Sequence, residues 1–204
     1  MWKLRWDEFS ERRLITKAVE GDRDAGEQLV RKHYASVFSF MMSLTQNRET
    51  SEELVQSTFV AAWQSLGGFQ YRSSLRTWLH RIAFRQYAAW KEKQSWEISI
   101  TPSEPFGLES GLVDGMWIRQ AIASMPGHLA EPFVLHYVQQ ISVNEVAEIL
   151  DLKRGTVLSR LHSARQLMRK LMADNEPSPT HPKEAPTLGL DTERSPYEMS
   201  KTSI

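Results

Sequence analysis

The stretch from Lys153 to Lys170, KRGTVLSRLHSARQLMRK, holds six cations (Lys153, Arg154, Arg160, Arg165, Arg169 and Lys170) and no acid. Such a run suits a polyanion, because a carboxylate within it would face phosphate charge directly. Wound as a helix, it turns Val157, Leu161, Ala164, Met168 and Leu171 to one side. The opposite side shows Ser159, His162, Ser163, Gln166 and Lys170, with Arg160 and Arg165 on the flanks and Arg154 and Arg169 at the margins. Short hydrogen-bonding side chains bordered by Arg are what base edges and neighbouring phosphates require. Leu158 offers only apolar contact, as with a thymine methyl. Two plainer uses compete: a solvated helix face for the whole run, and pairing of Arg160 or Arg165 with Glu145 or Glu148 across the preceding turn.

A second group lies between Arg76 and Lys91. With Trp78, Leu79, Ile82, Ala83 and Trp90 turned inward, the outward face carries Arg76, His80, Arg81, Phe84, Tyr87 and Lys91. Cations interleaved with exposed rings suit unpaired bases, which stack on the rings while the backbone meets positive charge. Phe84 amid charges marks an interface, with the linker or a second domain as its alternative cover. Bond chemistry finds no support. The six His are scattered without HExxH or any acid–His metal spacing, and there is no Gly-rich phosphate loop and no nucleophile motif. We therefore expect no enzyme, no metal and no cofactor. With no Cys there can be no disulfide, iron–sulfur cluster or thiolate zinc site, which suits a reducing cytosol.

Helices must position these groups. Periodicity is helical throughout and no segment of any length alternates like a strand. The spacing predicts a helix over Ser10–Glu20, stopping at Gly21. A second, from about Asp24 to Leu44, has Leu29, Val30, Tyr34, Val37, Phe38 and Met41 inward. A third follows Thr50-Ser51, with Thr50 as its cap and Val55, Phe59, Ala62, Trp63 and Leu66 at core spacing. It ends at Gly67-Gly68, and a fourth follows Ser73-Ser74 to about Lys93. Residues 94–114 then carry four acids, no base, two Pro and two Gly, and read as a flexible acidic linker. Helical pattern resumes over Met116–Met125, breaks at Pro126-Gly127 and returns across Ala130–Gln140. Ser142-Val143-Asn144-Glu145 has the form of a capping box. That helix, carrying Val146, Ile149 and Leu150, breaks at Asp151-Leu152-Lys153 before the basic helix, which gives helix-turn-helix dimensions.

Beyond Ala173 the chain has five Pro, one aromatic, six acids and three bases, too little apolar surface to offset ordering entropy, so 173–204 reads as a disordered tail. Of 25 basic and 25 acidic residues, 22 and 19 lie before it, so the chain's neutrality is partly the tail's. The expected fold is all-α: two small helical domains, at 10–93 and 115–172, joined by the linker. No run of about 18 apolar residues predicts a membrane span, and MWKLRWDEFSERR lacks the apolar core of a signal peptide. A cytoplasmic protein is expected.

The second half, SMPGHLAEPFVLHYVQQISVNEVAEILDLKRGTVLSRLHSARQLMRKL, closely resembles region 4 of extracytoplasmic-function (ECF) RNA polymerase sigma factors. Pro126, Leu135, Tyr137, Glu145, Val146, Ala147, Leu150, Gly155, Thr156, Val157, Ser159, Arg160, Leu161, Ala164 and Arg165 carry the likeness. EELVQSTFVAAW (Glu52–Trp63) and FQYRSSLRTWLHRIAFR (Phe69–Arg85) are similar to motifs of the family's region 2, so the resemblance spans about 12–172. It implies that Glu52, Glu53, Gln56 and Phe59 dock on core RNA polymerase. It also implies that Arg72, Arg76, His80, Arg81, Phe84, Tyr87 and Lys91 handle the −10 promoter element. Arg154, Thr156, Leu158, Ser159, Arg160, His162, Ser163, Gln166 and Lys170 would read the −35 element. Trp63 reads better as core. An anti-sigma factor is expected as a partner by resemblance only, and the linker's charge suits a nucleic-acid-mimicking path through the polymerase channel.

The chain departs from the family pattern at Arg85, where Asn is usual, at Ala89 and Glu92, where an acid and Arg are usual, and at Leu158 and Ser163, where a cation is common. None removes a core position; all bear on promoter preference. Two other readings compete: a stand-alone helix-turn-helix regulator, which leaves EELVQSTF unexplained, and a decoy that binds polymerase without opening promoters.

Overall fold

The computed structural model describes the backbone of residues 2–97 and 113–175, and the side chains of 9–94 and 118–172. These residues form eight α-helices, and no strand occurs among them. Helices α1 (Trp2–Val19), α2 (Arg23–Thr45), α3 (Arg48–Ser65) and α4 (Leu75–Glu97) build the N-terminal unit, with a 3₁₀ turn at Leu66–Gly68 between the last two. The C-terminal unit comprises α5 (Val113–Ala123), α6 (Gly127–Phe133), α7 (Val143–Leu150) and α8 (Arg154–Asn175). The expected linker therefore shrinks at both ends, and its remainder, 98–112, lies outside the described residues, as does the expected tail from 176 onward. The first helix begins at Trp2, earlier than Ser10.

Local chemistry sets the helix ends. Asp22 caps α2, its carboxylate accepting from Ala25 N at 3.1 Å, and the helix closes at Gln46 in the left-handed region (φ 54°). The cap of α3 is Asn47, not Thr50: Asn47 Oδ1 accepts from Thr50 N at 2.9 Å. An amide oxygen on the residue preceding the helix satisfies an orphan donor that a Thr already inside the first turn cannot reach. At α4, Ser74 Oγ accepts from Thr77 N at 3.0 Å. The capping box is present at α7: Ser142 Oγ accepts from Glu145 N, and the Glu145 carboxylate accepts from Ser142 N.

In the first unit Ile15, Val37, Phe40, Met41, Val55, Leu79 and Ala83 form the core; in the second, Val134, Leu135, Val146, Ile149, Val157, Leu161 and Ala164 do so. The stripe expected on α8 is buried except for Leu171, which is half-buried. Asp151, at φ 52°, turns the chain between α7 and α8, and Leu152 N donates to Ala147 O at 2.9 Å. Pro132, which has no amide hydrogen, interrupts α6. The chain then passes into one π-helical turn, Val134–Val138, where Gln139 N donates to Val134 O at 2.9 Å. Such turns re-aim side chains and recur at functional positions. Here the turn delivers Gln139, which is buried, against the N-terminal unit.

The two units touch. Helix α7 packs on α4, while α5 and the π turn pack on α2. Because α7 is only two turns long, its cap carries much of its stability. Ser142→Ala is therefore expected to destabilise the chain by about 0.5–2 kcal/mol, read from urea denaturation. A midpoint equal to wild type would contradict this role for the cap.

Candidate nucleic-acid and protein-docking surfaces

On α3, Glu52, Gln56, Phe59, Val60 and Trp63 recur at helical spacing along one side, and with Tyr34 of α2 they line a shallow groove. Tyr34 stacks on Phe38 (ring centroids 5.9 Å apart) and on Phe59 (6.5 Å, planes within 8°). Tyr34, Val60 and Trp63 are 43%, 52% and 48% exposed. This corrects two expectations: Tyr34 does not face the core, and Trp63 is not a core residue. The Trp63 indole lies across α2 at Gly26, where any Cβ would collide with it. The outer edge of the six-membered ring thus meets the α2 backbone, while about half of the side chain stays open to solvent. Its spacing from Gln56 was the signal for this, since seven residues return to the same face. Glu53 and Gln56 are exposed, Phe59 is half-buried, and Glu52 pairs with Arg48 at 2.9 Å. Three large side chains exposed together and rimmed by polar ones form the kind of patch that suits a protein partner.

The outer row of α8 is open. Arg154, Leu158, Ser159, His162, Ser163, Gln166 and Lys170 are exposed, while Thr156 and Arg160 are half-buried. Gln166 Nε2 and His162 Nε2 lie 3.0 Å apart, so these two present a joined pair of polar groups. Glu145 and Glu148 do not turn to Arg160 or Arg165; both reach α4 instead.

That is where the structure departs most from expectation. Of the residues expected to handle the −10 element, Arg72, just before α4, and Lys91, toward its C-terminal end, are exposed. His80 and Tyr87 are buried, and Arg76, Arg81 and Phe84 are half-buried. The C-terminal unit covers this face, which the periodicity of one helix cannot report. Arg76 Nε donates to Ser36 Oγ at 3.1 Å. The Gln139 amide sits 3.1 Å from Ser36 Oγ, 3.3 Å from Ser39 Oγ and 3.4 Å from Arg76 Nη2. Thr77 Oγ1 donates to Glu145 Oε1 at 2.7 Å, Arg81 pairs with Glu148 at 2.8 Å, and Lys91 pairs with Glu131 at 2.9 Å. Tyr87 is flanked by Phe84 and Trp90, with Lys91 Nζ 5.5 Å from its ring centre.

Titration follows this packing. Burial pushes the Glu145 carboxyl up, but bonds from Ser142 and Thr77 outweigh it and hold the group below its usual range. Burial pushes Lys91 down, and its hydrogen bond to Glu131 together with the Tyr87 and Glu131 charges more than reverses that. Burial raises the Tyr87 phenol. Among the described residues no cluster of His, Asp or Glu could hold a metal, and no helix is long and apolar enough to cross a membrane.

Known proteins give this arrangement its class. The Sigma-70 region 2 profile matches residues 29–97 and the Sigma-70 region 4 profile matches 115–168. The chain is 32% identical over 161 residues to the RNA polymerase sigma factor YlaC of Bacillus subtilis, covering 74% of this chain and 93% of that one. It is 25% identical over 181 residues to the ECF RNA polymerase sigma factor SigW of the same organism, covering 80% and 97%. Two solved structures share the fold. CnrH in complex with the cytosolic domain of CnrY has a TM-score of 0.64 at 23% identity, over 81% of this chain and 99% of that one. RpoE in complex with the anti-sigma factor NepR from Bartonella quintana has a TM-score of 0.64 at 22% identity, over 74% and 98%. The two profile matches, one in each unit, make this helical chain a sigma-70-type transcription protein. Within that class, the chain belongs to the ECF sigma factor family.

His80 supplies a pH test of the joint between the units. Its Nδ1–H donates to Arg76 O at 2.8 Å and its ring lies 5.3 Å from that of Phe40. Burial pushes its pKa down to about 4 against that hydrogen bond, and the Arg76 and His33 charges act in the same direction as burial. The neutral ring is the folded form, so the unfolded chain takes up the proton first as pH falls. His80 thus supports the fold fully above about pH 6.5, and that support fades toward pH 4, by up to about 3 kcal/mol. The loss of stability between pH 6.5 and 5 should be steeper in wild type than in His80→Gln, measured by urea midpoints. Parallel lines would contradict a buried neutral His80.

Proposed function

We propose that the chain binds core RNA polymerase through the α2–α3 groove, places α8 in the major groove of the −35 element, and holds unpaired −10 bases against α4. The observation that carries this is the pairing, in one chain, of an apolar groove rimmed by Glu52 and Gln56 with a helix whose basic stretch, from 153 to 170, holds no acid. A regulator acting through its helix-turn-helix alone would have no use for the groove. The reaction itself belongs to the polymerase; this chain contributes binding. In the cytoplasm, where polymerase works, its partner between rounds would be an anti-sigma factor, as NepR is for the related RpoE.

Roles divide by chemistry. Ser159, His162, Ser163 and Gln166 can bond base edges, while Arg154, Arg160 and Lys170 meet phosphates. On α4, Phe84 and Tyr87 would stack on extruded bases, with Arg72, Arg76, Arg81 and Lys91 along the backbone. Unstacking a base costs a few kcal/mol, which polymerase contacts and this cationic row would offset. A decoy that docks without opening DNA draws support from the covered α4 face.

Reconstitution with bacterial core polymerase and sequencing of transcripts made from genomic DNA separates these. Discrete start sites sharing upstream elements are expected; a decoy gives none, and a lone regulator does not bind the core enzyme. The groove makes a sharper prediction. Buried aromatic anchors dominate interfaces, often at 2 kcal/mol or more each, so Trp63→Ala with Val60→Asp should weaken core binding at least tenfold by competition titration, with helicity kept. Unchanged affinity would remove the groove from the docking assignment.

A further inference from the structure

Gly26 has no backbone reason to be glycine. It sits inside the first turn of α2, where its N–H donates to Asp22 O at 3.2 Å, and outside the left-handed region that Gly21 occupies at φ 95°. Alanine suits such a position better, since glycine loses more backbone freedom in a helix and has no side chain to pack. Space explains the residue instead. A Cβ at position 26 would overlap Cη2 and Cζ3 of Trp63, and among the described glycines no other Cβ would meet a ring. The notch acts on a ring set apart from its aromatic neighbours. Tyr34 stacks on Phe38 and Phe59, while Trp63 stands outside that stack, 48% exposed in the last turn of α3. With Val30 and Phe59 it lines both the groove and an adjoining apolar cavity of about 30 Å³, walled by Leu29, Ala62, Leu75 and Leu79. That is the space of about one water, so a displaced indole cannot retreat inward. It must swing into the groove, whose volume is about 560 Å³.

We propose that Gly26 is a positioning residue for docking: its bare backbone seats the edge of the Trp63 indole and so fixes the orientation in which the ring meets core polymerase. The inference rests on the reading of the α2–α3 groove as the docking surface. A side chain held in its bound setting before contact has less freedom to lose on binding, and buried rings dominate interface energies. A methyl group at position 26 pushes the ring across the groove, where it stands in the partner's place. Helix stability is given up at Gly26 for a fixed aromatic anchor.

The test uses the full-length chain labelled with 5-fluorotryptophan, and bacterial core polymerase as the probe. The Trp63 fluorine signal is identified by its loss in Trp63→Phe. In Gly26→Ala this signal should move while that of Trp90 stays. Competition titration should show core affinity about tenfold weaker, close to that of Trp63→Ala. The shorter ring of Trp63→Phe does not reach the notch, so adding Gly26→Ala to it should change affinity by less than about twofold. Unchanged affinity in Gly26→Ala, beside a loss in Trp63→Ala, overturns the proposal and leaves the docking reading standing. Unchanged affinity in Trp63→Ala overturns both. An equal loss with and without Trp63→Phe, or a loss with the Trp63 signal unmoved, overturns the route through the ring. A Gly26→Ala chain that does not fold, with or without Trp63→Phe, makes the glycine a packing requirement and overturns the proposal too.

Discussion

The buried joint of Arg76, His80, Ser36 and Gln139 decides how the two halves of this chain meet. Polar groups taken out of water must find partners or carry a penalty of about 1–3 kcal/mol each, and here the partners come from three elements. Arg76 and His80 belong to α4, Ser36 to α2, and Gln139 to the π turn that follows Pro132. Removing any one leaves another unsatisfied, so the set fixes a single seating of the C-terminal unit. Apolar contact alone would permit sliding; this joint does not.

Given that seating, the division among surfaces follows. The α3 groove is lined by none of the joint's residues, and at its side the edge of the Trp63 ring meets α2 at Gly26. The basic row of α8 lies on the far side of the stripe that packs α8 on its own unit. Only the α4 face is shared, and it is shared with acids. A cationic surface that must hold nucleic acid strongly when needed is one that also attracts any carboxylate in reach, and Glu131, Glu145 and Glu148 are in reach.

Much of this was legible in the residues. Ser142 and Glu145 announced their capping box, the 157–161–164–168 stripe its burial, and the absence of acids from 153 to 170 the open row of α8. These are local or single-helix properties, which sequence spacing encodes directly. The misses share a physical cause. Tyr34 and Trp63 were read as core because large aromatics usually are, yet the helix they share space with leaves them half out in water. His80 and Tyr87 were read as exposed because α4 has one obvious inner face, while in the fold it has two covered sides. Gln139, the residue that joins the units, sits in VLHYVQQI without any signal except polarity in an apolar run. Contacts between helices far apart in sequence leave little trace in either partner alone.

The central claim is that two helices of one chain divide a promoter, α8 on duplex DNA and α4 on the separated strand. Photo-crosslinking tests this most directly, with a benzophenone side chain placed at Leu158 or at Phe84 in the complex of the chain with core polymerase and promoter DNA. Crosslinks from position 158 should fall in the −35 duplex and those from position 84 on the unpaired −10 strand, the latter appearing only after melting. Crosslinks from position 84 to duplex DNA, or none from either position in a transcribing complex, would contradict the account.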